Sequence, residues 1–215
     1  MGLLLPKSLQ AFVVKATMWG PIALFFLVCS TFTSAATVLV HGDSLSAGYG
    51  MSPEDTWVAL LEDTLAEHTV INSSISGETS KGGLERLPGL LSTHKPDITI
   101  IELGANDGLR GYPISQMTNN LQEMIQLAQG SGSNVILVGI QLPPNFGKRY
   151  TQPFFEAFAK LAEKNKLAYL PFLLEDVAQY SELMQADGLH PTKEAQPIIL
   201  NNVLPFVEES IGNLQ

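Results

Sequence analysis

The chain has 215 residues, a formal net charge of -9 and an apolar fraction of 45%. That length suffices for one domain with a real core. So acidic a chain argues against nucleic acid or an anionic membrane surface as partner, because both call for basic patches.

The first 36 residues stand apart. Lys7 and Lys15 precede an apolar stretch from Met18 to Cys29, interrupted at Gly20-Pro21, and the small residues Ser34 and Ala36 follow. This is the charged, apolar and cleavage-site order of a secretory signal peptide, so residues 1–36 are expected to be removed and 37–215 to form a single domain. The apolar run is short for a membrane span, which needs about 20 residues, so no stable span is expected after processing. Cleavage removes two lysines and no acids, taking the charge from -9 to about -11, and it removes Cys29, the only cysteine. A cysteine nucleophile and a thiolate metal site are then excluded, and export to the periplasm or medium fits a thiol-free chain.

Beyond residue 36, short apolar runs alternate with stretches of helical period. Val38–Val40 reads as a strand; Pro53–Leu65 as a helix with Ser52 as its N-cap; Thr69–Ile71 as a strand; Thr79–Leu91 as a helix. Ile98–Leu103 is the strongest strand, followed by a helix over Met117–Ala128 that Gly130 and Gly132 close. Val135–Ile140 is a fourth strand, Phe154–Leu161 helical, Leu167–Leu170 a fifth strand. Thr192–Ile211 is a last helix disturbed by Pro197 and Pro205. Five strands alternating with helices imply an α/β domain with one parallel sheet covered on both faces.

In such a sheet, chemistry gathers beyond the C-terminal strand ends. Four stretches fall there: Gly42-Asp43-Ser44, Ser76-Gly77-Glu78, Gly104-Ala105-Asn106-Asp107 and Asp187-Gly188-Leu189-His190. Ser44 is a weak nucleophile without a base. His190, biased toward extended backbone by Pro191, is the candidate base. Asp187, three residues earlier across a Gly188 turn, is the candidate carboxylate that orients it. Tetrahedral oxyanion donors would be the Ser44 N–H, the Gly77 N–H, whose missing Cβ allows close approach, and the Asn106 side-chain amide. Asp43 reads as a structural hydrogen-bonder of the nucleophile loop. Glu102 is odd: a carboxyl inside an apolar strand must be paired or lie at an edge if it stays charged, and the sequence names no partner. His41, His68 and His94 share no ligand-like spacing, and His68 and His94 read as surface residues at helix ends.

Taken together, these four blocks resemble the SGNH (GDSL) hydrolase superfamily. Its serine, glycine, asparagine and histidine match Ser44, Gly77, Asn106 and His190, and the resemblance spans the chain from Thr37 onward. The stretches 42–49, 106–111 and 187–191 are most similar to the subgroup of bacterial periplasmic thioesterases that are also lysophospholipases and arylesterases. The resemblance implies a three-layer α/β/α sandwich with a five-stranded parallel sheet. It also implies hydrolysis of esters and thioesters through a Ser-His-Asp triad, with no metal and no cofactor. Implied substrates are small acyl esters, thioesters and lysophospholipids, and a monomer is expected. The loop Gly108–Ile114 resembles the one bordering the acyl groove in that family, which makes Leu109, Arg110 and Tyr112 groove candidates; Pro143 and Phe146 are added from an apolar loop that reads equally as a rigid surface turn. His41 and Ala105 depart from the family pattern and could alter groove shape or the setting of Asn106. Two other functions fit the same scaffold: a carbohydrate O-acetyl esterase with a polar cleft, and a non-catalytic acyl- or lipid-binding protein.

Overall fold

A computed structural model describes residues 35–214; the segment expected to be a signal peptide lies outside the described residues up to position 34. Five strands form one sheet: β1 (Thr37–Gly42), β2 (Thr69–Asn72), β3 (Ile98–Glu102), β4 (Asn134–Val138) and β5 (Ala168–Leu170), in the order β2-β1-β3-β4-β5 and all parallel. Alternation along the strands divides the core between two faces. Val38, Val40, Ile100 and Ile136 pack under α2 (Trp57–Thr64) and α7 (Gln196–Gly212). Leu39, Ile101 and Leu137 pack under α3 (Ser80–His94), α5 (Ile114–Gly130) and α6 (Lys148–Asn165). These are the three layers. Central strands buried on both faces read as predominantly apolar runs, which is why they stand out in the sequence.

Several boundaries differ from expectation, each for a local reason. The second helix is not capped by Ser52. Pro53 opens a short 3-10 turn, Pro53–Asp55, and Thr56 becomes the cap by accepting the Ala59 N–H at 3.1 Å. The last helix begins at Gln196, after a 3-10 turn over Lys193–Ala195; Pro197 sits in its first turn, where a missing N–H costs nothing. Helix α6 extends well beyond Phe154–Leu161, because only its buried middle carries the apolar stripe.

Ala36, the last residue of the expected leader, is buried. Its N–H donates to His68 Nδ1 at 3.0 Å, and its carbonyl accepts from Thr69 N at 2.9 Å. His68 is therefore a half-buried acceptor and not a free surface group.

The chain winds outward from β1 first to β2 and then, on the other side, to β3. The strand order thus reverses between β1 and β3, and the crevice beyond their C-terminal ends is where open parallel sheets place ligands. The last register pair of those strands is Gly42 with Glu102.

Candidate active site

The loops after β1 and β3 meet at that crevice. Asp43 N-caps the four-residue helix α1 (Ser44–Ala47), its Oδ1 accepting the Leu45 N–H at 3.2 Å, so Ser44 sits at the first helical position. On the other strand, α4 (Ala105–Leu109) begins at once after Gly104 and carries Asn106. Asp107 fixes α4 from beneath: it is buried, and its two oxygens accept the Ser80 N–H at 2.7 Å and the Ser80 hydroxyl at 2.6 Å.

His190 arrives from the far end of the chain on a tight excursion. Met184 and Pro191 form an antiparallel bridge, Gln185 N donates to the His190 carbonyl at 2.7 Å, and Gly188 takes the left-handed φ of 66° that the turn requires. Asp187 Oδ1 accepts the N–H groups of Leu189 and His190 at 2.9 and 3.1 Å, and Oδ2 meets His190 Nδ1 at 2.6 Å. His190 Nε2 lies 2.9 Å from Ser44 Oγ. Partial burial works to raise the Asp187 carboxyl, but the hydrogen bonds from the His190 ring and from two backbone N–H groups outweigh it and hold it at about 2. An ionised Asp187 only accepts, so Nδ1 carries the imidazole proton and Nε2 is left to accept from the serine.

The three expected oxyanion donors differ in state. Among the described residues the Ser44 and Gly77 N–H groups have no hydrogen-bond acceptor. Gly77 is held by its neighbours: Arg86 pairs with Glu78 at 2.7 Å and donates to the Ser73 carbonyl at 3.0 Å. The Asn106 amide is already engaged. Its nitrogen donates to Asp43 Oδ2 at 3.1 Å and to the Glu78 carbonyl at 2.9 Å. Both partners are acceptors, which fixes the nitrogen on that side. An oxyanion must share or displace one of them.

Beside Ser44 and His190 opens an apolar cavity of about 200 Å³. Of the groove candidates, Leu109 and Pro143 line it; Arg110, Tyr112 and Phe146 do not. Arg110 turns back to donate to the Gly77 carbonyl at 3.0 Å. Tyr112 is exposed, with its carbonyl bound by the Tyr150 hydroxyl at 3.2 Å. Phe146 lies exposed on the 3-10 turn Pro144–Phe146. The rest of the lining includes Ala105, Ile140, Leu142, Phe172 and Leu189. Apart from Ala105 and Leu142 these carried no signal, because an apolar lining residue looks like core in sequence. Ala105 does shape the cavity. His41 does not: it is fully buried behind the site, its Nε2 bound to the Gly83 carbonyl at 3.0 Å and its Nδ1 3.1 Å from Ser73 Oγ. Among the described residues no group of three His, Cys, Asp or Glu side chains is placed to hold a metal ion, and no helix is long and apolar enough to cross a membrane.

Comparison with known proteins bears on this geometry. The model of the GDSL-like Lipase/Acylhydrolase family matches residues 40–197. An arylesterase of Vibrio mimicus is 51% identical over 182 residues, which cover 83% of this chain and 91% of that protein. The Escherichia coli thioesterase 1/protease 1/lysophospholipase L1 is 46% identical over 177 residues, covering 81% of this chain and 85% of the other. The crystal structure of the psychrotrophic esterase EstA from Pseudoalteromonas, inhibited by monoethylphosphonate, superposes with a TM-score of 0.79 at 41% identity, over 82% of this chain and 99% of the other.

Proposed function

The chain belongs to the GDSL-like lipase/acylhydrolase family and is a carboxylic ester and thioester hydrolase, and from that premise we propose that Ser44, His190 and Asp187 are its catalytic triad. The observation that carries the assignment is the continuous line of hydrogen bonds Asp187 Oδ2 – His190 Nδ1 and His190 Nε2 – Ser44 Oγ, at 2.6 and 2.9 Å. Ser44 Oγ attacks the acyl carbonyl while Nε2 takes its proton. The Ser44 and Gly77 N–H groups receive the oxyanion, and Asn106 joins them by sharing a hydrogen now given to Asp43 or to the Glu78 carbonyl. The imidazolium then protonates the departing alkoxide or thiolate. Water repeats the sequence on the acyl-enzyme and releases the acid.

The substrates are small esters. The apolar cavity beside Ser44 favours medium or long acyl chains over acetyl groups on a sugar, and lysophospholipids fit the same description. All triad members and the cavity lining come from one chain, so a monomer is a complete enzyme. We place it outside the cytoplasm on the strength of the leader pattern in residues 1–36.

The test is hydrolysis of p-nitrophenyl esters from acetyl to palmitoyl by wild type and Ser44→Ala, with fluorophosphonate labelling alongside. Activity should rise beyond acetyl, be blocked by the label and fall at least about a thousandfold in the variant. Unlabelled but active protein would remove Ser44 from the mechanism; activity confined to acetyl esters would point to the sugar deacetylase.

A further inference from the structure

Glu102 is the feature the triad leaves unused. It ends β3 fully buried, and its register partner is Gly42, the first residue of the nucleophile motif. Its Oε2 accepts two hydrogen bonds, from the Ser46 hydroxyl at 2.7 Å and from the Asp43 backbone N–H at 3.2 Å. Its Oε1 is buried and has no hydrogen-bond partner among the described residues. The fit is close: a Cβ on residue 42 would stand 2.6 Å from Oε2 and 2.9 Å from Ser46 Oγ. Glycine is therefore needed at 42 because the Glu102 carboxyl occupies the adjoining space.

These contacts bracket the nucleophile. Ser44 lies between residues 43 and 46, both tied to one oxygen of Glu102. Asp43 is also the acceptor for Asn106. One side chain thus connects the serine loop with the amide on the neighbouring strand. We propose that Glu102 is a positioning residue: a buried strut whose Oε2 fixes the span 43–46 and, through Asp43, aims the Asn106 amide.

The form in which it works follows from its surroundings. No lysine or arginine pairs with it among the described residues; the ion pairs found there all lie elsewhere. Burial pushes its carboxyl well above the ordinary range, and the charge of Asp43 adds to this. Burial also raises Asp43, to about 6, against the opposing pull of the Leu45 N–H, Asn106 and His190. Two carboxyls so close in a dry site cannot both ionise at little cost. Both Asp43 oxygens accept hydrogen bonds, from the Leu45 N–H and the Asn106 amide, so the charge falls to Asp43 and the proton to Glu102. Since Oε2 already accepts twice, a proton on this carboxyl falls to Oε1, where it has no acceptor among the described residues. Glu102 then presents a carbonyl-like acceptor, as a glutamine would.

This inference rests on the serine-hydrolase reading, and the test separates the two. Stoichiometric fluorophosphonate labelling of Ser44 in wild type establishes that reading first; absence of labelling would sink it, and the strut with it. Given labelling, kcat and KM for p-nitrophenyl butyrate are measured in Glu102→Gln, Glu102→Ala and Ser46→Ala, together with binding of a trifluoromethyl ketone and of a non-hydrolysable ether analogue. Glu102→Gln should stay within about threefold of wild type. Glu102→Ala should lose about 10- to 100-fold in kcat with KM nearly unchanged, and ketone affinity should fall in parallel while ether binding holds. Ser46→Ala, which leaves the strand intact, should lose about three- to tenfold in kcat and covers the case in which Glu102→Ala does not fold. Full kcat in both alanine variants would overturn the proposal. So would equal losses of ketone and ether binding, or a glutamine variant as impaired as the alanine one.

Discussion

The ring of Tyr49 lies against the imidazole of His190, centroids 4.4 Å apart and planes tilted by 34°. The two residues come from loops far apart in sequence, and Gln185 ties those loops together by donating to the Tyr49 carbonyl at 2.8 Å and to the Pro191 carbonyl at 2.9 Å. In the mechanism proposed above, His190 becomes a cation facing an aromatic ring when it takes the serine proton. Such a contact at an exposed site contributes about 0.5–1 kcal/mol, a factor of about two to five. The ring also limits the swing of an imidazole carried on a surface loop. Tyr49→Phe should keep kcat within about twofold, whereas Tyr49→Ala should lower it about three- to tenfold. Equal losses in steady-state kcat for both variants would show that the hydroxyl matters and the stack does not.

His41 makes stability depend on pH. Burial lowers it from 6.5 to about 4, with the Gly83 hydrogen bond acting in the opposite direction. The unfolded chain takes up this proton below pH 6.5, the folded chain only near 4. Unfolding therefore gains a proton in that window, and the folded state loses stability as the pH falls through it, by roughly 3 kcal/mol in all. Asp43, raised by burial, acts in the opposite sense between its unfolded value of 3.8 and about 6. The comparison is thus best made between wild type and His41→Gln by chemical denaturation at pH 7 and pH 4.5. The advantage of wild type should shrink at the lower pH; a constant difference would mean that His41 binds its proton equally well in the folded and unfolded chain.

What the sequence makes legible follows from how local each cause is. The strands are plain because a doubly covered sheet writes its burial as runs of apolar residues, as in Val135–Val138. The proposed triad can be picked out because Asp187 and His190 share one turn and Ser44 follows a strand directly. Helix ends are less so: Ser52 has the right chemistry for a cap, but Pro53 spends it on a 3-10 turn and Thr56 takes the role. Glu102 stands out as a misfit, yet its partners at Asp43 and Ser46 are set by the register of β1 against β3, which no local pattern encodes. The same holds for Tyr49, and for Ile140, Phe172 and Leu189, which reach the cavity only once three loops converge.

Acyl-chain preference should follow the width of that cavity. Leu109 lines it and is half-buried. Leu109→Trp would fill space that a longer chain occupies and leave room for acetyl. Each methylene excluded from an apolar site costs about 0.8 kcal/mol, close to fourfold. The ratio of kcat/KM for p-nitrophenyl octanoate over acetate should therefore fall by at least tenfold. A ratio that does not move would place the acyl chain on another surface.

Gly42 and Glu102 should be energetically coupled. A methyl group at 42 meets the Glu102 carboxyl at 2.6 Å and the Ser46 hydroxyl at 2.9 Å. Neither can retreat easily, since one is fixed in the sheet and the other in α1. Gly42→Ala should cost about 2–3 kcal/mol of stability, within the range for overpacking a tight core. Glu102→Ala opens the larger part of the space, so the same methyl group should cost less in that background, with a coupling of about 1 kcal/mol or more in a double-mutant cycle. Strict additivity would mean that Ser46 alone sets the limit at 42, and that the glycine is needed for the α1 turn and not for the carboxyl behind it.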